Sequence, residues 1–90
     1  MRKIEQQMVE AVNFGIPFHG SNTMVTIDFN TAHVFLFGKH IASVVNGGTP
    51  IVNLDTLRQY PTPTTKSRLR ALGVDVWTKK GVTYLNGEEI

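Results

Sequence analysis

From Val25 to Val45 the chain leaves little choice but antiparallel strands. Val25, Ile27 and Phe29 alternate with Thr26 and Asp28, the period-two pattern of a half-buried strand. Asn30-Thr31 marks a turn. The run His33-Val34-Phe35-Leu36-Phe37 is apolar on both faces, which predicts a central strand covered from both sides. Gly38-Lys39 fits a two-residue hairpin turn with glycine first, which pairs Phe37 with His40, Leu36 with Ile41 and Phe35 with Ala42. A third strand then runs from about His40 to Val45 and stops at Asn46-Gly47-Gly48. Ile51-Val52-Asn53-Leu54 reads as a short fourth strand.

Helices flank this block. Ile4, Met8, Ala11 and Val12 recur at helical spacing, so a helix is expected from about Arg2 to Asn13, with Gly15 and Pro17 behind its end. Phe14, Ile16 and Phe18 are then free to tuck beneath a loop over 14–22. Asp55 can cap a single turn from Thr56 to Tyr60, ahead of Pro61 and Pro63. The next helix is well punctuated: Thr62 caps it, Pro63 opens it and Gly73 stops it. Val74, Val76 and Thr78 alternate with Asp75 and Trp77. Lys79-Lys80-Gly81 turns the chain, Val82-Thr83-Tyr84-Leu85 returns, and Asn86-Gly87 precedes a stub at Glu88-Glu89-Ile90. The order predicts one α+β domain over residues 1–90, an antiparallel meander sheet with two helices on one face.

Composition narrows the class. Ninety residues, 41% hydrophobic and 18% charged, are those of an ordinary globular domain with one core. The absence of cysteine excludes disulfides and thiol chemistry. Net charge is only +2, which does not force a nucleic-acid partner. No apolar run approaches the ~20 residues needed to span a bilayer, so no membrane partner is expected. Glu5, Gln6, Gln7 and Glu10 interrupt what would be the apolar part of a signal peptide, and a soluble, intracellular protein is expected.

The candidate functional element is the helix over 63–72. Thr65, Leu69 and Leu72 share the face that packs down, and Lys66 and Arg70 are expected to project from the far side, with Arg68 flanking the seam. The helix contains no acidic residue to offset them. Its first turn is expected to offer free backbone N–H groups. Thr64, Thr65, Lys66, Ser67, Arg68 and Arg70 therefore form a candidate phosphate or nucleic-acid contact, which Lys79 and Lys80 would extend; the alternative is a solvated basic face.

Catalytic patterns are sparse. His19, His33 and His40 lack H-x-x-x-H or H-E-x-x-H spacing, and nothing in the sequence compels a metal site with Asp28. The carboxylates show no acid–base pairing, Gly47-Gly48-Thr49 is no phosphate loop, and the serines lack a nucleophile-elbow context. His40 and Lys39 are the pair that a metal-free nuclease would draw on. No cofactor is expected, and the reading is non-catalytic.

The chain also resembles a family of small proteins of short-tailed bacteriophages. The resemblance rests on the opening Met1-Arg2-Lys3-Ile4-Glu5-Gln6-Gln7-Met8-Val9-Glu10-Ala11, on Asn22-Thr23, on Val34 to Gly38 with Ile41-Ala42, and on Thr64 to Leu72. It departs at Phe37-Gly38-Lys39, where the family pattern has His-Gly-Asn, and at Tyr60, where a tryptophan is usual. The resemblance implies a phage origin rather than a mechanism. Because short phage genomes carry many small non-enzymatic effectors, that origin favours an accessory protein of the host cytoplasm that acts in host takeover or anti-defence by binding. The candidate partners are a host protein, anchored by Tyr60, Trp77 or Tyr84, or nucleic acid through the basic helix, with self-association as a further candidate.

Overall fold

The computed structural model describes all residues, 1–90. Three helices, α1 (Lys3–Phe14), α2 (Leu54–Gln59) and α3 (Pro63–Ala71), accompany two antiparallel sheets. The first is a five-stranded meander in sequence order: β1 (Phe18–His19), β2 (Thr23–Asp28), β3 (Thr31–Leu36), β4 (Lys39–Val45) and β5 (Ile51–Val52). The second comprises β6 (Val76–Lys79), β7 (Val82–Leu85) and β8 (Glu88–Glu89). The α+β class expected from the sequence is the one observed. The closing hairpin forms its own sheet with the stub strand, and the single turn after Asn53 is a third helix.

Helix ends follow their local chemistry. Gly15 closes α1 in the left-handed conformation, at φ 65°. Asn53, rather than Asp55, caps α2, its Oδ1 accepting the Thr56 N–H at 3.1 Å. Thr62 caps α3 by accepting the Thr65 N–H, also at 3.1 Å. At the other end of α3, Gly73 N–H reaches Arg70 O and Val74 N–H reaches Leu69 O, the paired bonds of a Schellman motif.

The core gathers Met8, Ala11 and Val12 of α1, Leu57 of α2 and Leu69 of α3 against the inner face of the large sheet, and Val76 joins them from the small one. On β3 the buried residues Ala32, Val34 and Leu36 alternate with half-buried Thr31, His33 and Phe35. The strand is thus covered on one side only. Phe35 lies on the open face and Phe37 leaves the strand altogether, which corrects the expectation of burial from both sides. The apolar run misled because Phe37 belongs to a turn, and because the half-exposed Phe35 packs edge-on against His40, ring centroids 5.4 Å apart.

The hairpin turn also differs from expectation. Its central residues are Phe37 and Gly38, at φ 50° and 77°, between the paired Leu36 and Lys39. Positive φ at both centres is the type I′ turn. Phe35 pairs with His40 and Val34 with Ala42, so Ile41 is an extra residue on β4. Such a bulge lets neighbouring residues face one side, and Ile41 and Ala42 are both buried. Phe14 and Ile16, expected under the loop, are instead exposed, and Phe18 alone is half-buried there.

Candidate functional site

The basic helix is bound into the fold on two sides. Lys66 is only 4% exposed and Arg68 2%, so Lys66 does not project into solvent as expected. The small sheet covers the far side of α3. Lys66 Nζ donates to Thr78 Oγ1, while Arg70 Nη1 donates to Val76 O at 2.9 Å and its guanidinium stacks 4.3 Å from the Trp77 ring centroid. On the other side, Glu5 supplies the acid that α3 lacks. Its Oε2 accepts from Arg68 Nη1 at 2.9 Å and from Ser67 Oγ at 2.5 Å. Arg68 also donates to Thr23 Oγ1 and Asn22 Oδ1.

The titration directions agree with this burial. At Glu5 burial acts to raise the carboxyl pKa, but the bonds from Ser67, the Arg2 backbone and Arg68, with the Arg68 charge, outweigh it and hold the group below its usual range. Lys66 is pushed down, first by burial and then by the Arg70 charge. Nor is the first turn of α3 open to anions. Pro63 has no N–H, the Thr65 N–H is capped by Thr62, and the Lys66 N–H bonds Thr62 O, which leaves Thr64 alone. Lys79 and Lys80 remain exposed at the β6–β7 turn.

A second cluster lies on the open face of the large sheet. Residues 40 and 43 would face opposite sides of a regular strand, and the extra residue at Ile41 brings both to one side. Because Asn53 Oδ1 is occupied as the α2 cap, its Nδ2 is the atom that meets His40 Nδ1, at 3.1 Å. An amide nitrogen only donates. His40 therefore accepts at Nδ1 and carries its proton on Nε2, which donates to Ser43 Oγ at 2.9 Å. Ser43 Oγ is also hydrogen-bonded to His33 Nδ1, at 3.0 Å. One helix cap thus sets the direction of the bonds from Asn53 through His40 to Ser43.

Burial, with the nearby His33, lowers the His40 pKa, against a weaker opposing bond at Ala42. An N–H donated to Ser43 Oγ draws electron density from that oxygen, the reverse of nucleophile activation. Lys39 and His40 are not brought to one point, since Lys39 meets Tyr60 instead. No three histidine or carboxylate side chains converge as a metal-ligand set.

The third feature is a hollow of about 190 Å³ between the β3–β4 turn and the α2–α3 segment. Buried Leu36 and Ile41 line it, with Phe37, Lys39 and Tyr60, and with Thr64 and Thr65 from the predicted set. The Lys39 ammonium stands 4.7 Å from the Tyr60 ring centroid. Phe37 is 66% exposed. Sequence reasoning missed Glu5 and Phe37. The signal for Glu5 was an acid-free basic helix that needed a partner elsewhere. For Phe37 it was a Phe-Gly pair at a turn that prefers Asn-Gly.

Fold and surface together define a small α+β domain that ties its surplus cations into the fold, Lys66 buried and Arg70 half-buried, and displays aromatic side chains. A family model described as Kyanoviridae Gp96 protein matches residues 1–90, and the chain belongs to that family of phage proteins. Kyanoviridae are myoviruses, so the resemblance to proteins of short-tailed phages is corrected in that respect. Searches of curated proteins and of solved structures give no match. No helix is long and apolar enough to cross a membrane.

Proposed function

We propose that this chain is a non-catalytic phage accessory protein that acts in the host cytoplasm, in host takeover or anti-defence, by binding a host protein. Where its charge lies carries the reading. Of nine basic and seven acidic residues, Glu5 and Arg68 cancel inside the fold. The surplus of two is Lys66 and Arg70, one buried and the other held by Val76 and Trp77. The remaining charges are all exposed and balance: Arg2, Lys3, Lys39, Arg58, Lys79 and Lys80 against Glu10, Asp28, Asp55, Asp75, Glu88 and Glu89.

A phosphate backbone is held by a surplus of free Lys and Arg, whereas the exposed charges here sum to zero. It exposes large apolar groups instead, with Phe29 at 97% and Phe14, Phe37 and Trp77 each more than half exposed. Exposed aromatic groups of this kind anchor protein interfaces. The test is capture from host lysate by the tagged full chain, with and without nuclease. A specific protein retained after nuclease treatment and across ~50–200 mM salt is expected. Capture abolished by nuclease, or falling steeply over that salt range, would overturn the reading in favour of nucleic acid.

A further inference from the structure

We infer that the hollow beside the β3–β4 turn receives one apolar side chain of a protein partner, flanked on that partner by a carboxylate. This rests on the protein-binding reading above. At about 190 Å³ the space lies below the roughly 300–1,000 Å³ of small-molecule sites and is scaled to a single side chain. Leu36 and Ile41 give it an apolar floor. Lys39 is the one charged residue lining it, and its ammonium is held over Tyr60 without a carboxylate partner. The complement is therefore an apolar group beside a negative charge.

Phe37 marks the same rim from backbone strain. A bulky residue at φ 50° is an outlier, and little of this ring is buried in the domain. Phe29, at φ 55°, is strained and exposed in the same way at the opposite end of the sheet. The larger hollow there has no charged lining residue. Charge complementarity thus selects the Phe37 end.

The test titrates three acetylated, amidated seven-residue peptides into the ¹⁵N-labelled full chain, read by amide chemical shifts. One carries leucine between two glutamates, one leucine between two lysines, and one alanine between two glutamates. The first should give saturable shifts at residues 36–41 and 56–65, and the other two should bind at least about tenfold more weakly. Lys39→Gln should erase the preference for glutamate over lysine. Phe37→Asn should weaken binding about fivefold or more while raising the melting temperature, because Asn-Gly suits a type I′ turn. Phe29→Asn should leave the affinity for this peptide unchanged, because Phe29 does not line the hollow.

Absence of saturable shifts with the glutamate–leucine peptide would overturn the inference. So would equal binding of the lysine-flanked peptide, full affinity in Phe37→Asn, or shifts clustered around residues 12–15 and 29–31. Nuclease-resistant protein capture together with any of these results removes the hollow but keeps the protein partner. Nuclease-sensitive capture removes both.

Discussion

Replacing Glu5 by glutamine tests how the first helix and the basic helix are joined. The variant keeps the shape and leaves oxygen and nitrogen near Ser67 and Arg68, but removes the charge opposite a guanidinium that is almost wholly buried. Breaking one side of a buried pair costs about 3–5 kcal/mol, because the remaining charge stays desolvated. A domain of this length has about 5–14 kcal/mol in total, so the loss is a large share of it. Urea unfolding followed by circular dichroism should show a midpoint lowered by at least about 1 M.

The paired replacement Glu5→Leu with Arg68→Met should lie within about 1 kcal/mol of the wild type, or above it. Thr23 keeps its bond to Asn22 Oδ1 at 2.8 Å, and half-buried Ser67 can turn to water. Acid supplies a second readout. The Glu5 carboxyl titrates below its usual 4.5, so its contribution is complete above that pH and is lost as pH falls through the folded value. Glu5→Gln should remove that part of the acid transition. A loss under about 1 kcal/mol, with the acid limb unchanged, would refute the reasoning.

Lys66→Met should stabilise the domain by on the order of 1 kcal/mol at neutral pH, since it keeps the stem and removes a buried charge that has no acid partner. Lys66 is held below 10.5, so wild-type stability should rise as pH climbs through its folded value to 10.5, and the variant should lack that rise. His40 is held below 6.5: the melting temperature should stay level above pH 6.5 and fall beneath it, and His40→Gln should flatten that fall. Leu36→Ala, at 3% exposure, should cost about 2–5 kcal/mol in urea titration.

The elements were legible where one local signal sufficed. The stripe of Ile4, Met8, Ala11 and Val12 located α1 within a residue at each end, and Thr62, Pro63 and Gly73 bounded α3 because capping chemistry is local. What depended on distant pairing was not legible. Glu5 meets Arg68 across 63 positions; the acid-free helix signals that a partner is needed, but no local pattern says which acid supplies it. Lys66 was placed in solvent because charge usually is, yet the closing hairpin folds back over that face. The bulge at Ile41 was invisible for a related reason: an extra residue alters strand alternation without a turn residue to mark it. With it went the meeting of His40, Ser43 and His33 on the open face.

The molecule contains its own control for the β3–β4 turn. Phe37-Gly38, Lys80-Gly81 and Asn86-Gly87 close three hairpins with nearly the same angles, φ 50–53° at the first residue and 77–81° at the glycine. Asn86 is the residue such a turn favours, and Lys80 is a solvated side chain at a strained position. Phe37 is neither. The backbone does not select it, since the same turn forms without an aromatic residue twice in this chain. Internal packing does not compensate for it either, since most of the ring faces solvent. Natural sequences depart from local preference chiefly where function demands it. The contact outside the chain proposed above would account for a phenylalanine that makes the hairpin less stable than asparagine would. On that account the Phe37→Asn protein should be the better-folded molecule and the poorer binder.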